Sequence, residues 1–495
     1  MKTFTKVALL ILVVLPCFLM SAGCGSGGGS SPQPILVSLR LTPLNPTFVA
    51  GTSFHFAVIG TYSNGTTIDV SQTANWTSSD TTVATIGNTS GSKGVATTVA
   101  AGSTTITATV NGISASTTLT VTGNTSTGAN VMRITVNGDL CSAATSAGYV
   151  NKPCVSVTVC NPNSSTCQTI TDLLLDTGST GLRVFSSAIP NLTLPQVTTS
   201  GGGSLAGCVG FADGSSLWGP IKMASVQLGN EPAVLVPIQV IDSTFGIRPS
   251  GCSNADPTPV SAGFNGILGV DVFAQDCGPA CVSSALNGMY YSCNGSGCSG
   301  TTVPTANQVA NPVVSLPVDN NGVQVQLPPV PLGGVASLSG SLILGINTQS
   351  NNTPGAVTVL PEDTSGDFRT LYPTSSTSND SFVDTGSNAL FIPNLNPSVL
   401  PTCASPNQAW YCPPVTRSLF ATATGFSGLP AVNVPFNVGN FITVASDGNS
   451  VFSEIAGTST FGFDWGLPFF MGRNVFLGYE QKIVPSLGTG PFVAF

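Results

Sequence analysis

Two acids in this chain stand in the same setting. Leu173-Leu174-Leu175-Asp176-Thr177-Gly178-Ser179-Thr180 recurs as Ser381-Phe382-Val383-Asp384-Thr385-Gly386-Ser387-Asn388, and each is followed by a further apolar run, Leu182 to Phe185 and Ala389 to Ile392. Charged residues make up only 7% of the chain, and a carboxylate closing an apolar strand is costly to bury. Repeating that arrangement implies that two carboxyls are wanted in one place. Held a few ångström apart they cannot both ionise easily, so one proton is shared between them. Such a pair can take a proton from water and give one to a leaving amine. The neighbours fit that chemistry. Thr177 and Thr385 can hydrogen-bond across the contact, Gly178 and Gly386 let backbone N–H groups approach the carboxylates, and Ser179 and Ser387 can donate from outside. An Asp that merely caps its own turn accounts for either motif alone but not for the duplication.

The elements that must position these acids are strands. Hydrophobic residues are 41% of the chain, with 56 Gly and 36 Pro, the profile of a β-rich, loop-rich protein. From Val131 onward apolar strands recur (Met132 to Val136, Val155 to Val159), and the longest helical candidate is Ser283 to Tyr290. The two acid turns fall in halves of similar length, which implies an internal duplication with the acids meeting where the halves join. A net charge of −8 with 13 Lys and Arg leaves no basic stripe for phosphates and argues against nucleic acid. The sole histidine, His55, lies in an alternating N-terminal strand and reads as a packed or edge residue, so no histidine-based or metal chemistry is expected and no cofactor is implied.

Beyond the two triplets, Phe264-Asn265-Gly266-Ile267-Leu268-Gly269-Val270 resembles the segment that backs the first acid turn in pepsin-like aspartic peptidases, Phe469-Phe470-Met471-Gly472 with Val475 to Tyr479 resembles its counterpart behind the second, and the joining stretch Gly340 to Asn347 with Gly355 to Thr358 and the ending Gly490 to Phe495 follow in that family's order. The body, residues 131–495, resembles that family. The resemblance implies a two-lobed fold, with Asp176 and the flap in a first lobe (131–350) and Asp384 in a second (351–495). It assigns Asp176 and Asp384 as catalytic and Thr177, Gly178, Ser179, Thr385, Gly386 and Ser387 as their supports. Phe211-Ala212-Asp213-Gly214-Ser215 is similar to the hairpin that closes over substrate, with Phe211, Asp213 and Gly214 at its tip. Two positions depart from the family: Phe211 stands where a tyrosine is usual, and Arg183 where a tryptophan is usual. A Cys- and Gly-rich insertion runs from Asp276 to Gly300. Asp176 to Arg183 with Trp465 to Gly472 also resembles a bacterial lipoprotein domain family of unassigned function.

The N-terminal quarter carries no chemistry. Lys2 and Lys6 precede an apolar run, Val7 to Met20, that reads as a signal peptide over 1–24. Ser21-Ala22-Gly23-Cys24 resembles a bacterial lipobox with Ser21 in place of the usual Leu, so Cys24 is the expected lipidation site. Ordinary signal cleavage near Ala22 is the alternative. Residues 25–34 form a flexible tether. Short alternating strands then fill residues 35–122, with Asn64-Gly65 as a hairpin turn. Gly60 to Thr66, Ala74 to Ser79 and Ala84 to Ile86 resemble the bacterial Ig-like group 2 domain, with Trp76 as its core residue. A polar linker, 123–130, leads into the body. Apart from Cys17 and Cys24 the cysteines all follow residue 140 in even number, and in an exported chain they point to disulfides. Close spacings such as Cys160 to Cys167, Cys277 to Cys281, Cys293 to Cys298 and Cys403 to Cys412 suggest local staples. Zinc sites are the weaker reading, since no histidine accompanies them.

The expectation is thus an all-β chain: an Ig-like sandwich, then a two-lobed body. Its function is hydrolysis of peptide bonds in a polypeptide substrate by water activated between Asp176 and Asp384. The alternative is a catalytically silent, lipid-anchored binding or adhesion protein that holds a protein ligand in the same cleft. The protein is expected to be exported and anchored in the cell envelope, at the outer membrane or cell surface. It is expected to act as a monomer, since one chain supplies both motifs.

Overall fold

The computed structural model describes residues 34–495 except 50–52, 90–91, 100–101, 123–127, 373–374, 376, 394–397, 447 and 461. The expected leader with Cys24, the tether up to residue 33 and most of the linker lie outside the described residues. Among the described residues, no helix is long and apolar enough to cross a membrane.

Period-two alternation in the N-terminal segment produces three small sheets. They comprise Leu36–Thr42, Ala57–Tyr62 and Thr67–Asp69; Thr47–Val49, Ile113–Thr122, Gly102–Val110 and Asn75–Ser78; and Ser53–His55, Val95–Thr98 and Ala84–Ile86. Their inward residues, among them Leu41, Phe56, Val58, Trp76, Ile106 and Leu119, form one core. The Trp76 ring stacks on Phe56 while its Nε1–H donates to the Ser71 carbonyl at 3.0 Å, so its polar edge is satisfied inside the sandwich. His55 is half-buried on an edge-paired strand opposite Val95. At Asn64-Gly65 only Gly65 takes a positive φ, +81°, because the loop is closed by Tyr62 N–H to the Thr66 carbonyl and spans three residues.

The body is also mostly β. A sheet of 15 strands and one of seven hold its core, and both motifs sit in the same local topology. The strand Cys167–Asp176 pairs in parallel with Gly266–Val270, placing Asp176 opposite Gly269. The strand Asn379–Asp384 pairs in parallel with Phe463–Gly466, placing Asp384 opposite Gly466. The strand after each turn (Thr180–Phe185 or Leu390–Pro393) then lies antiparallel on the far side of that same central strand. A Cβ at Gly269 would meet the Ser179 carbonyl at 2.5 Å, and one at Gly466 would meet the Ala389 carbonyl at 2.0 Å, so each turn is packed directly on a glycine. This corrects one sequence expectation. The support of the second motif is Phe463-Asp464-Trp465-Gly466, and Phe469 to Gly472 lies beyond it, entering through the short helix Leu467–Phe470.

The larger sheet does not stop at residue 350. Val359–Pro361, Asn474–Gly478 and Phe492–Ala494 join it through Gly322–Gln326, so the end of the chain returns to the first half. The expected helix Ser283 to Tyr290 is also revised: a helix spans Pro279–Ser283, and Tyr290–Asn294 is a strand. Pro279 starts the helix, and Asn287-Gly288 breaks the chain, with Gly288 at φ +75° and Asn287 Oδ1 accepting from the N–H groups of Met289 and Tyr290.

Among the described residues six disulfides form: the four local staples, together with Cys141–Cys154 and Cys208–Cys252. Cys141, Cys154 and Asp172 lie close enough to suggest a metal site, but the two sulfurs are bonded to each other and Asp172 is taken by Lys152. That ion pair is fully buried, at 2.5 Å, and Thr145 Oγ1–H donates to the other Asp172 oxygen at 2.6 Å. It fastens the loop 137–152 to the strand that ends at Asp176. Lys152→Met should lower stability by about 3 kcal/mol or more, because Asp172 is left charged and unpaired. Adding Asp172→Leu should restore most of the loss, as read by urea unfolding of the two variants.

Candidate active site

The two turns grip each other through their threonines. Thr177 Oγ1–H donates to the Val383 carbonyl at 2.9 Å and accepts from Thr385 N–H at 2.9 Å. Thr385 Oγ1–H donates to the Leu175 carbonyl at 2.7 Å and accepts from Thr177 N–H at 3.1 Å. Both threonines are buried. The bonds satisfy backbone groups that the sharp turns leave without ladder partners, and they bring the acids face to face.

Each carboxyl is held in the same way. Gly178 N–H donates to Asp176 Oδ1 at 2.8 Å and Ser179 Oγ–H to Asp176 Oδ2 at 2.5 Å. Gly386 N–H donates to Asp384 Oδ1 at 2.7 Å and Ser387 Oγ–H approaches Asp384 Oδ2 at 2.7 Å. The glycines are dictated by space as well. A Cβ on Gly178 would lie 2.7 Å from the Asp384 carboxyl carbon, and one on Gly386 would lie 2.9 Å from that of Asp176. The two carboxyls face each other across the glycines, and burial followed by the Asp384 charge pushes Asp176 well above the usual carboxylate range. One proton therefore resides on the pair. Chemically, the arrangement offers an acid and a base side by side.

The strands Ser204–Gly210 and Ser216–Gln227 form a hairpin whose tip is residues 211–215, closed by Phe211 N–H to the Ser215 carbonyl. Gly214 takes φ +82° at its apex. Asp213 Oδ1 accepts from the Ser215 N–H and hydroxyl, so Asp213 shapes the turn. Phe211 packs in an apolar cluster with Tyr149, Leu174, Phe264 and Ile267, beside the strand that ends at Asp176.

Tyr149 carried no signal in the sequence. Its ring is buried, its hydroxyl has no hydrogen-bond partner, and burial together with the charges of Asp384 and Asp176 pushes that hydroxyl well above its ordinary range. The loop that bears it is tied to the second motif: Asn151 Nδ2–H donates to the carbonyls of Asn388 and Phe452, both at 2.8 Å. Arg183 is likewise explained. Its guanidinium is buried against Asp276 at 2.7 Å and Gln239 at 2.6 Å, and Asp276 also accepts from the Tyr290 hydroxyl at 2.6 Å. Asp276 and Tyr290 belong to the Cys- and Gly-rich insertion, whose strand Tyr290–Asn294 pairs with the hairpin strand Ser204–Gly210. The insertion therefore holds the base of the hairpin.

Behind the first turn, Asp271 N–H donates to the Ser179 carbonyl at 3.1 Å. Burial raises the Asp271 carboxyl to about 7 and that of Asp367 to about 6. Burial, then the charges of Asp271 and Asp367, push Glu362 well above its usual range. These folded-state values exceed the unfolded ones. The stability they contribute is complete below about pH 4 and is lost as pH rises through about 6 to 7. The melting temperature should therefore fall between about pH 4.5 and 7.5, and Asp271→Asn should flatten that slope, as followed by scanning calorimetry across the range.

A duplicated, acid-bearing β body behind an Ig-like sandwich defines the class of this protein. The chain belongs to the family described as "Protein of unknown function (DUF3443)", which matches residues 126–495, and residues 37–121 match the bacterial Ig-like domain (group 2). It is also similar to Ice-binding protein 1 of Shewanella frigidimarina (strain NCIMB 400), 43% identical over 74 residues, which is 15% of this chain and 8% of that protein. The chain thus spans less than a tenth of that relative's length. The disulfides and the Ig-like domain are those of an extracellular or surface protein.

Proposed function

We propose that this chain is a pepsin-like aspartic endopeptidase of the cell envelope. The observation that carries the reading is the facing pair Asp176 and Asp384, each on its own Asp-Thr-Gly-Ser turn and joined through Thr177 and Thr385. In the proposed reaction Asp384 takes a proton from a water held between the carboxyls, and the resulting hydroxide oxygen bonds to the peptide carbonyl carbon. Asp176 gives its proton to the carbonyl oxygen, leaving a neutral gem-diol. The C–N bond then breaks as Asp384 returns its proton to the nitrogen and Asp176 takes one back from a diol hydroxyl. The products are an acid and an amine, with the pair restored. Optimal rates lie at acid pH, where one proton remains on the pair.

Incubation of the purified body with a mixed peptide library between about pH 3 and 7 tests this, with pepstatin and Asp176→Ala as controls. Cleavage blocked by both supports the reading. Cleavage that survives the substitution, or none at any pH, sinks it. Tyr149→Phe adds a finer test. Because the hydroxyl is buried and unpaired, removing it should not lower the melting temperature. If the hydroxyl instead bonds substrate or the attacking water, kcat/KM should fall roughly tenfold, the worth of a hydrogen bond to a charged or reacting group.

A silent binding or adhesion lipoprotein is the second reading. Phe211 favours it, since this hairpin tip brings no hydroxyl of its own to the acids. In either case Cys24 is proposed to carry the lipid that anchors the chain at the outer membrane or cell surface, and the Ig-like domain to act as a spacer. Cys24→Ala should release the protein from the membrane fraction.

A further inference from the structure

The two motifs differ at their serines. Ser179 Oγ meets the single carboxylate of Asp176, whereas Ser387 Oγ lies 2.7 Å from Asp384 Oδ2 and 2.6 Å from Asp464 Oδ2. A serine hydroxyl has one proton and can donate it once. Two ionised carboxylates at that distance would leave one oxygen facing another with no hydrogen between them. Asp464 lies on the central strand Phe463–Gly466, where the first half has Ile267 on Gly266–Val270. It is 9% exposed, and its Oδ1 has no hydrogen-bond partner.

Among the described residues no cation pairs with it. The neighbouring strand Asn379–Asp384 contributes Asp384 and Asp380, the latter paired with Arg369 at 3.2 Å. Leu390–Pro393 and the helix Leu467–Phe470 carry no charge. Arg473, beyond that helix, is spent on the carbonyls of Phe469 and Pro435. From across the contact, Asp176 adds a second negative charge. Burial first, then Asp384, pushes Asp464 well above the usual carboxylate range.

We propose that Asp464 is a protonated positioning residue: its carboxyl O–H donates to Ser387 Oγ, which commits the Ser387 proton to Asp384. The chain Asp464 to Ser387 to Asp384 thereby makes Asp384 the ionised member of the pair and leaves the shared proton on Asp176. The assignment of base and acid rests on the peptidase reading; the protonation of Asp464 does not. As pH rises and Asp464 ionises, two anions compete for one hydroxyl, and the alkaline limit of the pair is set in part by this third acid.

The test uses Asp464→Asn, which keeps an N–H donor to Ser387 but cannot ionise, and Asp464→Leu, which keeps neither. Infrared spectroscopy of the full chain at about pH 6.5, above the ordinary carboxylate range, reads the protonated carboxyl whether or not the chain cleaves anything. One protonated C=O band of the wild type should be missing in Asp464→Asn, and an unchanged spectrum overturns the proposal. In the peptidase assay Asp464→Asn should exceed Asp464→Leu in kcat/KM by about tenfold, with the alkaline limb of its pH profile moved upward. Equal loss in both variants with an unmoved limb also overturns it. If Asp464→Leu does not fold, the spectrum and pH profile of Asp464→Asn decide alone. A wild type that cleaves nothing yet shows the band refutes the peptidase reading and leaves the protonated Asp464 standing.

Discussion

Thr177 and Thr385 hold together two segments more than 200 residues apart in sequence. Each hydroxyl accepts one backbone N–H and donates to one backbone carbonyl of the opposite half. In a buried setting all four bonds must form together, since an unmade one leaves a polar group stranded at a cost of about 1 to 3 kcal/mol. That requirement fixes the separation of the two turns, and with it the contact between Asp176 and Asp384. The parallel pairing behind each turn serves the same end. Gly269 and Gly466 let the turn backbones press flat against their supports, and a side chain at either position would push the acids apart.

The few charges of this chain are distributed by sign. Two buried cations, Lys152 and Arg183, are each paired with a buried acid, and both pairs sit at the periphery of the site, one behind the Tyr149 loop and one under the hairpin. Among the described residues, the acids nearer the centre, Asp176, Asp271 and Asp464, form no ion pair. In an interior of low dielectric such groups stay protonated, and a protonated carboxyl is a donor as well as an acceptor. The paired charges give rigidity to the surroundings, while the unpaired acids are shifted toward their neutral forms by burial.

Much of this was legible in the sequence because the motif is local. Asp-Thr-Gly-Ser after an apolar strand specifies a turn, and its repetition specifies a partner. The alternation of Ile35 to Val121 specifies a sandwich in the same way, through a pattern that repeats every two residues. The second support was misplaced for a physical reason. In Phe463-Asp464-Trp465-Gly466 an acid occupies one of the apolar positions, so the apolar-apolar-Gly pattern does not mark the segment, and only its parallel pairing with the strand of Asp384 does. Arg183, which stands where a tryptophan is usual, is matched by Asp276, which reaches it from an insertion 93 residues further on. Contacts at such separations leave no trace in spacing.

The same limit shaped the reading of the hairpin. From sequence, Phe211 left the acids without an overlying hydroxyl. The fold brings a tyrosine into the same apolar cluster from another direction: Tyr149 comes from the loop 137–152, shares the cluster with Phe211, and keeps a buried, unpaired hydroxyl that feels the charges of Asp384 and Asp176. A hairpin tip is among the more mobile parts of a β protein. This loop is instead pinned three ways, by Cys141–Cys154, by Lys152 on Asp172, and by Asn151 on Asn388 and Phe452. A buried, unsatisfied hydroxyl on so rigid a support costs stability, and the surrounding bonds are what allow the fold to keep it. Phe211 on the hairpin and Tyr149 on the pinned loop thus meet in one apolar cluster from two separate elements, one held by a turn and the other by a disulfide, an ion pair and side-chain amide bonds.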